Sequence, residues 1–217
     1  REKTKIWDAW ADEEGRLETA YGRFWRRYPV PEVALDGEVF ADENNPWTTR
    51  EENGQLVFDQ IQYVIDTLKE LKINPNHKNG RRMIVVAWNP GNATISKLPP
   101  CHYTFAFNVL GNKLNCHLTQ RSGDIALGIP FNLACYSLLT MMLAKECGYE
   151  VGEFSHTIID AHIYENHIEG LKEQLTRKPL KLSKIKIADK PFNELTFDDI
   201  KLEDYESYPL IKFEVAV

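Results

Sequence analysis

The sequence predicts an α/β or α+β domain built on one large mixed β-sheet, and three observations predict it. Apolar residues recur at helical spacing in well-separated stretches. Short apolar or alternating runs read as strands, and the two kinds of stretch interleave along the chain. At 217 residues the chain can bury one substantial core, so a single domain spanning residues 1–217 is expected.

The elements follow in order. The opening "IWDAWADEEGRLETAYGRFWRRYP" is dense in Trp, Tyr and Arg, with little periodicity. Residues 31–56 are acidic and turn-rich and are expected to form a long surface loop, a length uncommon unless functional or mobile. Phe58, Ile61, Val64, Ile65, Leu68 and Leu71 fall on one helical face, and "INPN" stops that helix. "RRMIVVAWNP" reads as a buried strand. "CHYTFAFNVLGNKLNCHLTQRS" reads as two strands turning at Gly111-Asn112. "PFNLACYSLLTMMLAKECG" is a long apolar helix with Pro130 near its start and Gly148 as its C-cap. A strand ("GEFSHTIIDAHIY"), a shorter amphipathic helix ("ENHIEGLKEQLTRK") and a further strand ("PLKLSKIKIA") complete the pattern.

Charge narrows the function classes. A formal net charge of −6 argues against a general binder of DNA, RNA or membrane surfaces. An anionic ligand would need locally clustered arginines. Cys101, Cys116, Cys135 and Cys147 lack zinc-like spacing, which favours reduced thiols, a cytoplasmic home and no metal. His162 and His167 are not at the i, i+4 spacing of a helical metal pair. No apolar run is long enough to span a membrane. The sequence begins at Arg1 rather than Met, so a fragment or the ordered part of a longer product is expected.

Several short motifs carry candidate chemistry. In "KLPPCHYTF" two prolines stiffen the approach to Cys101, which suits a sulfur that must stay aimed; the alternative is a buried free thiol in a turn. His102 is a poor base for it, because adjacent side chains in an extended segment point apart. In "QRSGD", from Gln120 to Asp124, Arg121 and Ser122 suit a phosphate; a solvated turn is the alternative. Arg81 and Arg82 are either a surface pair or a phosphate clamp. Asn132, in "GIPFN", is either a helix N-cap or a reader of an amide-like edge such as that of uracil. Asp160, His162 and Tyr164 share one strand face by period two, suited to sugar hydroxyls or to a solvated sheet face.

In combination, "IWDAWADEEG", "RRMIVVAWNP", "LPPCH", "QRSGDIALGIPFN", "DAHIYENH" and "FEVAV" closely resemble the thymidylate synthase family, over nearly the whole chain outside the 31–56 loop. The resemblance implies a layered fold in which a large mixed sheet packs on helices and its free face forms a homodimer interface. It implies reductive methylation of deoxyuridylate to thymidylate, with 5,10-methylenetetrahydrofolate as one-carbon donor and reductant and no metal. Carried over by motif, Cys101 is the nucleophile that adds to pyrimidine C6, and Asn132 with ordered water stabilises the resulting enolate. Tyr21 belongs to the network that removes the C5 proton. Gln120, Arg121 and Ser122 hold the substrate, the last two at its phosphate, and Arg81 and Arg82 reach the phosphate of the partner subunit. His162 and Tyr164 bind the sugar 3′-hydroxyl. Asp124 meets the pterin, with Leu127, Gly128, Phe131, Trp7 and Trp10 beside the folate and Val217 closing over the site.

The departures are specific. Ala106 stands where the family usually has Gln, and the acidic loop exceeds that of compact bacterial members. A phosphate-binding arginine and a catalytic glutamate belong, in the family, to the segment ahead of "IWDAW"; without them little turnover is expected. The rival readings are a pyrimidine hydroxymethylase, in which water meets the exocyclic methylene, and a binding-only relative. Autoregulatory mRNA binding finds no support in the charge.

Overall fold

A computed structural model describes residues 11–15, 21–31 and 44–215. Its main sheet has the strand order β4-β5-β6-β7. These strands are β4 (Ile84–Val86), β5 (His102–Leu110), β6 (Lys113–Asp124) and β7 (Glu150–His162). β4, β5 and β6 pair antiparallel, whereas β6 and β7 run parallel. The β5–β6 hairpin turns at Gly111, whose φ of 61° lies in the left-handed region that glycine enters without steric penalty. Parallel neighbours need a crossover, and the helix α4 (Gly128–Cys147) provides it between β6 and β7. Gly148 ends α4 in the left-handed conformation, with Tyr149 N–H donating to Ala144 O at 2.8 Å.

One face of the sheet is the core. Phe105, Phe107, Leu114, Cys116 and Leu118 point at α4 and at α2 (Gln60–Ile73), whose Ile61, Val64, Ile65, Leu68 and Leu71 form the helical stripe that the sequence predicts. Asp59 caps α2 by accepting from Gln62 N–H at 2.9 Å. Gln60 is buried and completes the edge strand: its amide accepts from Val86 N–H and donates to Val86 O and Phe24 O. The other face of the sheet is open. It exposes Ile84 and Ile159, and His117 Nε2 meets Thr157 Oγ1 there at 3.1 Å.

The expectation of a loop over residues 31–56 needs correction. Thr48–Arg50 form β2, which pairs with β3 (Leu56–Phe58), and β1 (Tyr28–Pro29) pairs with the other edge of β3. Thr48 is buried, and Trp47 Nε1–H donates to Asp66 Oδ2 on α2 at 2.8 Å, so the end of the acidic segment docks on the core. Residues 32–43 lie outside the described residues. The short helices α1 (Tyr21–Arg26), α3 (Pro90–Ala93) and α5 (Ile168–Leu175) flank the core. β8 (Lys184–Ile187) and β9 (Ile200–Glu203) pair antiparallel as a separate two-stranded sheet; the sequence predicts the first of these strands but not the second.

Candidate active site

Topology gathers the candidate residues at one end of the sheet. The start of antiparallel β5, the ends of parallel β6 and β7, and the start of α4 all meet there. Cys101 immediately precedes β5 and is fixed through its backbone: its N–H donates to Tyr21 Oη and its carbonyl accepts from Arg121 N–H, both at 2.8 Å. Arg121 then turns back over the two prolines. Its Nε donates to Pro100 O at 3.0 Å and its Nη2 to Pro99 O at 2.9 Å, while Nη2 lies 3.7 Å from Cys101 Sγ. The prolines therefore do more than stiffen the chain. Their carbonyls anchor the guanidinium beside the sulfur.

His102 points away from Sγ, as the adjacency argument requires. Its ring stacks on Tyr21 with centroids 3.6 Å apart, and its Nδ1 lies 2.6 Å from Tyr136 Oη. Burial, with a smaller contribution from His156, lowers its pKa to about 4, so it is neutral at physiological pH. Burial raises the Tyr21 and Tyr136 hydroxyls well above the usual phenol range, and Cys101 adds to the effect at Tyr21. Both phenols stay protonated. Burial also pushes the Cys116 and Cys147 thiols up to about 12, which removes them as nucleophiles.

Asn132 is not a helix cap. The N-cap of α4 is Leu127, so Asn132 lies within the first turns of the helix. Its Oδ1 accepts from Gln120 Nε2 at 3.1 Å. Gln120 is 2% exposed and lies behind Asn132. Its Nε2 also donates to Ser122 O at 2.8 Å, and its Oε1 meets His156 Nε2 at 3.0 Å. The sequence places Gln120 at the substrate itself, whereas here its amide is committed to protein groups on three elements.

Asp124 ends β6, and its Oδ1 accepts from Ala126 N–H at 2.9 Å. Leu127 and Gly128 follow at the mouth of α4, where Phe131 is 62% exposed. His162 closes β7 and Tyr164 lies just past it; their rings meet edge to face at 5.1 Å, and His162 Nδ1 is 3.6 Å from Asp160 Oδ1. Arg81 and Arg82 are exposed and are not part of this cluster. Arg81 borders a concavity of about 770 Å³ beside Val109 and Gly111, at the turn end of the β5–β6 hairpin. Trp7, Trp10 and Val217 lie outside the described residues. Three contributors escape the sequence argument: Tyr136, His156, and Trp88, whose ring lies 5.8 Å from the Arg121 guanidinium carbon. Only His156 leaves a trace, since period two along "FSHTI" turns it inward with Phe154 and Ile158.

Comparison with known proteins decides the family. A sequence model described as thymidylate synthase matches residues 1–217. The chain is also 45% identical, over 266 aligned positions, to a thymidylate synthase of Haloferax volcanii, with all of this chain and 75% of that protein covered. The chain belongs to the thymidylate synthase family. It is accordingly an enzyme of the methyltransferase class, in a family that is generally dimeric and binds deoxyuridylate and a folate. Among the described residues no helix is long and apolar enough to cross a membrane, and no three His, Cys, Asp or Glu gather as a metal site.

Proposed function

We propose that the protein converts deoxyuridylate to thymidylate, consuming 5,10-methylenetetrahydrofolate and releasing dihydrofolate, with Cys101 as the covalent nucleophile. The observation that carries the reading is the position of Sγ, held at the mouth of β5 with an Arg121 N–H 3.7 Å away. The thiolate of Cys101 adds to C6; the C5=C6 electrons move toward C4 and its oxygen, making C5 the nucleophile. Asn132 offers that oxygen its amide N–H₂, because Gln120 already occupies the Oδ1 side. Bound methylenetetrahydrofolate supplies the one-carbon unit and the hydride. Loss of the C5 proton accompanies cleavage of the bond between the methylene and the folate nitrogen; hydride addition to the resulting exocyclic methylene then expels the Cys101 thiolate and restores the C5=C6 double bond. Tyr21 and His102, protonated and neutral respectively, order water at this step rather than act as strong bases.

The residues suit the folate. Among the described residues the second Asp124 oxygen has no hydrogen-bond partner, and exposed Phe131 offers a flat apolar surface nearby in sequence. Arg121 and Ser122 would hold the phosphate, and His162 with Tyr164 the sugar. Arg81 and Arg82 would serve the partner subunit of a dimer formed through the open sheet face. At roughly 3.3 Å per residue, the nine residues of β5 separate Arg81 from the Cys101 end by about 30 Å, too far for its own site.

The test is trapping with 5-fluoro-deoxyuridylate and methylenetetrahydrofolate. Cys101→Ala should abolish the covalent complex, whereas single alanine variants of the other three cysteines should retain it. Attachment at Cys116, Cys135 or Cys147 defeats the assignment. Chromatography of the natural reaction separates the hydroxymethylase alternative, which yields hydroxymethyl nucleotide with tetrahydrofolate.

A further inference from the structure

A buried phenol that none of the assignments above uses stands behind His102. Tyr136, on α4, is 1% exposed, and its Oη lies 2.6 Å from His102 Nδ1. Aromatic rings from three further elements wall it in: Trp25 of α1, Phe105 of β5 and Phe154 of β7, with centroids 5.8, 5.0 and 6.2 Å from its own. Among the described residues His102 is the one hydrogen-bond partner of its hydroxyl.

The short contact can be made in two ways, and they are not equivalent. Either Tyr136 O–H donates to a bare Nδ1, or an Nδ1–H donates to the phenol oxygen. A phenol has a single hydrogen to give. In the second arrangement that hydrogen points into an apolar pocket, and a buried donor left unmade disfavours the arrangement roughly tenfold or more. In the first, the hydroxyl is satisfied. The phenol stays protonated, because burial raises it well above the usual phenol range, and burial with a smaller contribution from His156 keeps the imidazole neutral. A neutral imidazole with a bare Nδ1 carries its one hydrogen on Nε2. Tyr21 does not compete for either nitrogen. Its ring lies flat on the imidazole, with centroids 3.6 Å apart and planes 8° apart, and its Oη accepts from Cys101 N–H.

We propose that Tyr136 is a positioning residue that fixes His102 as the Nε2–H tautomer, so that the imidazole meets the site as a hydrogen-bond donor. The functional half of the inference rests on the reading of Cys101 and Asn132 given above. A water that accepts from Nε2–H keeps both of its own hydrogens. It can give one to the enolate oxygen beside the Asn132 amide, where negative charge grows as the Cys101 thiolate adds. With the hydrogen on Nδ1 instead, Nε2 would accept, and the same water would give one hydrogen to the ring. The phenol thus sets the polarity of the water from the far side of the imidazole.

The tautomer is read without any ligand. In protein carrying ¹⁵N-histidine near neutral pH, the His102 signals are identified by their loss in His102→Gln. Nε2 should give the pyrrole-type signal of a protonated nitrogen, and Nδ1 the pyridine-type signal of a bare one. A hydrogen found on Nδ1 in the wild type overturns the inference, whether or not any variant folds. Tyr136→Phe keeps the ring packing and removes the donor. Its Nδ1 signal should move as the hydrogen bond is lost. Its kcat, per site that traps 5-fluoro-deoxyuridylate with methylenetetrahydrofolate, should fall about tenfold while the Kd of deoxyuridylate stays unchanged. Counting trapped sites removes unfolded protein from the comparison. Normal kcat per trapped site would mark Tyr136 as a packing residue and sink its positioning role. Wild-type protein that forms no covalent complex would instead defeat the Cys101 reading, leaving the nuclear resonance result to decide the tautomer alone.

Discussion

On the proposed reading, discrimination between uracil and cytosine should be set one residue behind the base, at Gln120. Uracil presents N3–H and an accepting O4; cytosine presents the reverse. An Asn amide can answer either base by rotating, so selectivity depends on what holds Asn132 still. Ser122 O can only accept, which forces the Gln120 N–H₂ toward it and toward Asn132 Oδ1. Rotating Asn132 would set two N–H₂ groups against each other; rotating Gln120 would set its oxygen against Ser122 O. Either mismatch costs about 1–3 kcal/mol, which is roughly a fivefold to hundredfold preference for deoxyuridylate. Gln120→Met, similar in length and without polar hydrogens, should lower the ratio of kcat/KM for deoxyuridylate to that for deoxycytidylate by a factor in that range. Both rates come from one preparation, so any loss of folded protein cancels. Asn132→Asp should push the ratio further, since a protonated carboxyl can donate to cytosine N3 and accept from its amino group. If Gln120→Met lowers both rates by one common factor, the amide lock is not the source of selectivity and the reasoning fails.

Two further outcomes follow from the thiols and from His102. At neutral pH an alkylating reagent should spare Cys116 and Cys147, whose buried thiols are pushed up to about 12, until the protein unfolds, while the exposed Cys135 reacts in the native state; mass spectrometry of the labelled peptides reads the difference. His102 has a folded-state pKa of about 4, below the unfolded value of 6.5, so the unfolded state binds more protons between them. Stability should therefore fall as pH drops from about 6.5 toward 4, by up to about 3 kcal/mol from this residue. His102→Gln should flatten the Tm profile in that window, and an unchanged slope would show that other groups carry it.

The sequence was most informative where periodicity ran long. Six apolar positions were enough to place α2, and the Gly-Asn pair fixed the turn of the longest hairpin. α4 was marked at both ends by Pro130 and Gly148. β1, β2 and β3 are two or three residues each, too short for alternation to register, so the end of the acidic segment read as loop. β9, "IKLE", alternates Ile200 and Leu202 with charged residues, but over only four residues the alternation is too short to stand out. Within the site, the nucleophile motif and the arginine beside it were legible as motifs, but the distinction between reader and support was not. Asn132 is half-buried whereas Gln120 is buried, and that depends on groups from β6, β7 and α4 meeting in space.

On the proposed reading, the topology also bears on how many copies the site needs. β5 and β6 are antiparallel and β6 and β7 parallel, so Cys101, Arg121 and His162 share one end of the sheet while Arg81 borders the other. A protein of net charge −6 that holds a phosphate dianion with Arg121 alone would gain from more cations, and its own Arg81 cannot supply one. A two-fold axis between two open sheet faces, perpendicular to the strands, reverses strand direction and lays each turn end against the partner's Cys101 end. The consequence is complementation. Cys101→Ala and Arg81→Ala homodimers should each be impaired, the first for lack of a nucleophile and the second for lack of a phosphate ligand. In a mixed dimer, the subunit with intact Cys101 receives Arg81 from the Cys101→Ala subunit and forms one complete site. Random exchange of equal amounts makes half the dimers mixed, so about one quarter of wild-type activity should return. Arg81 acting within its own subunit predicts no recovery, because every site would then lack one of the two residues. Recovery below the sum of the two parents would refute the cross-subunit assignment directly.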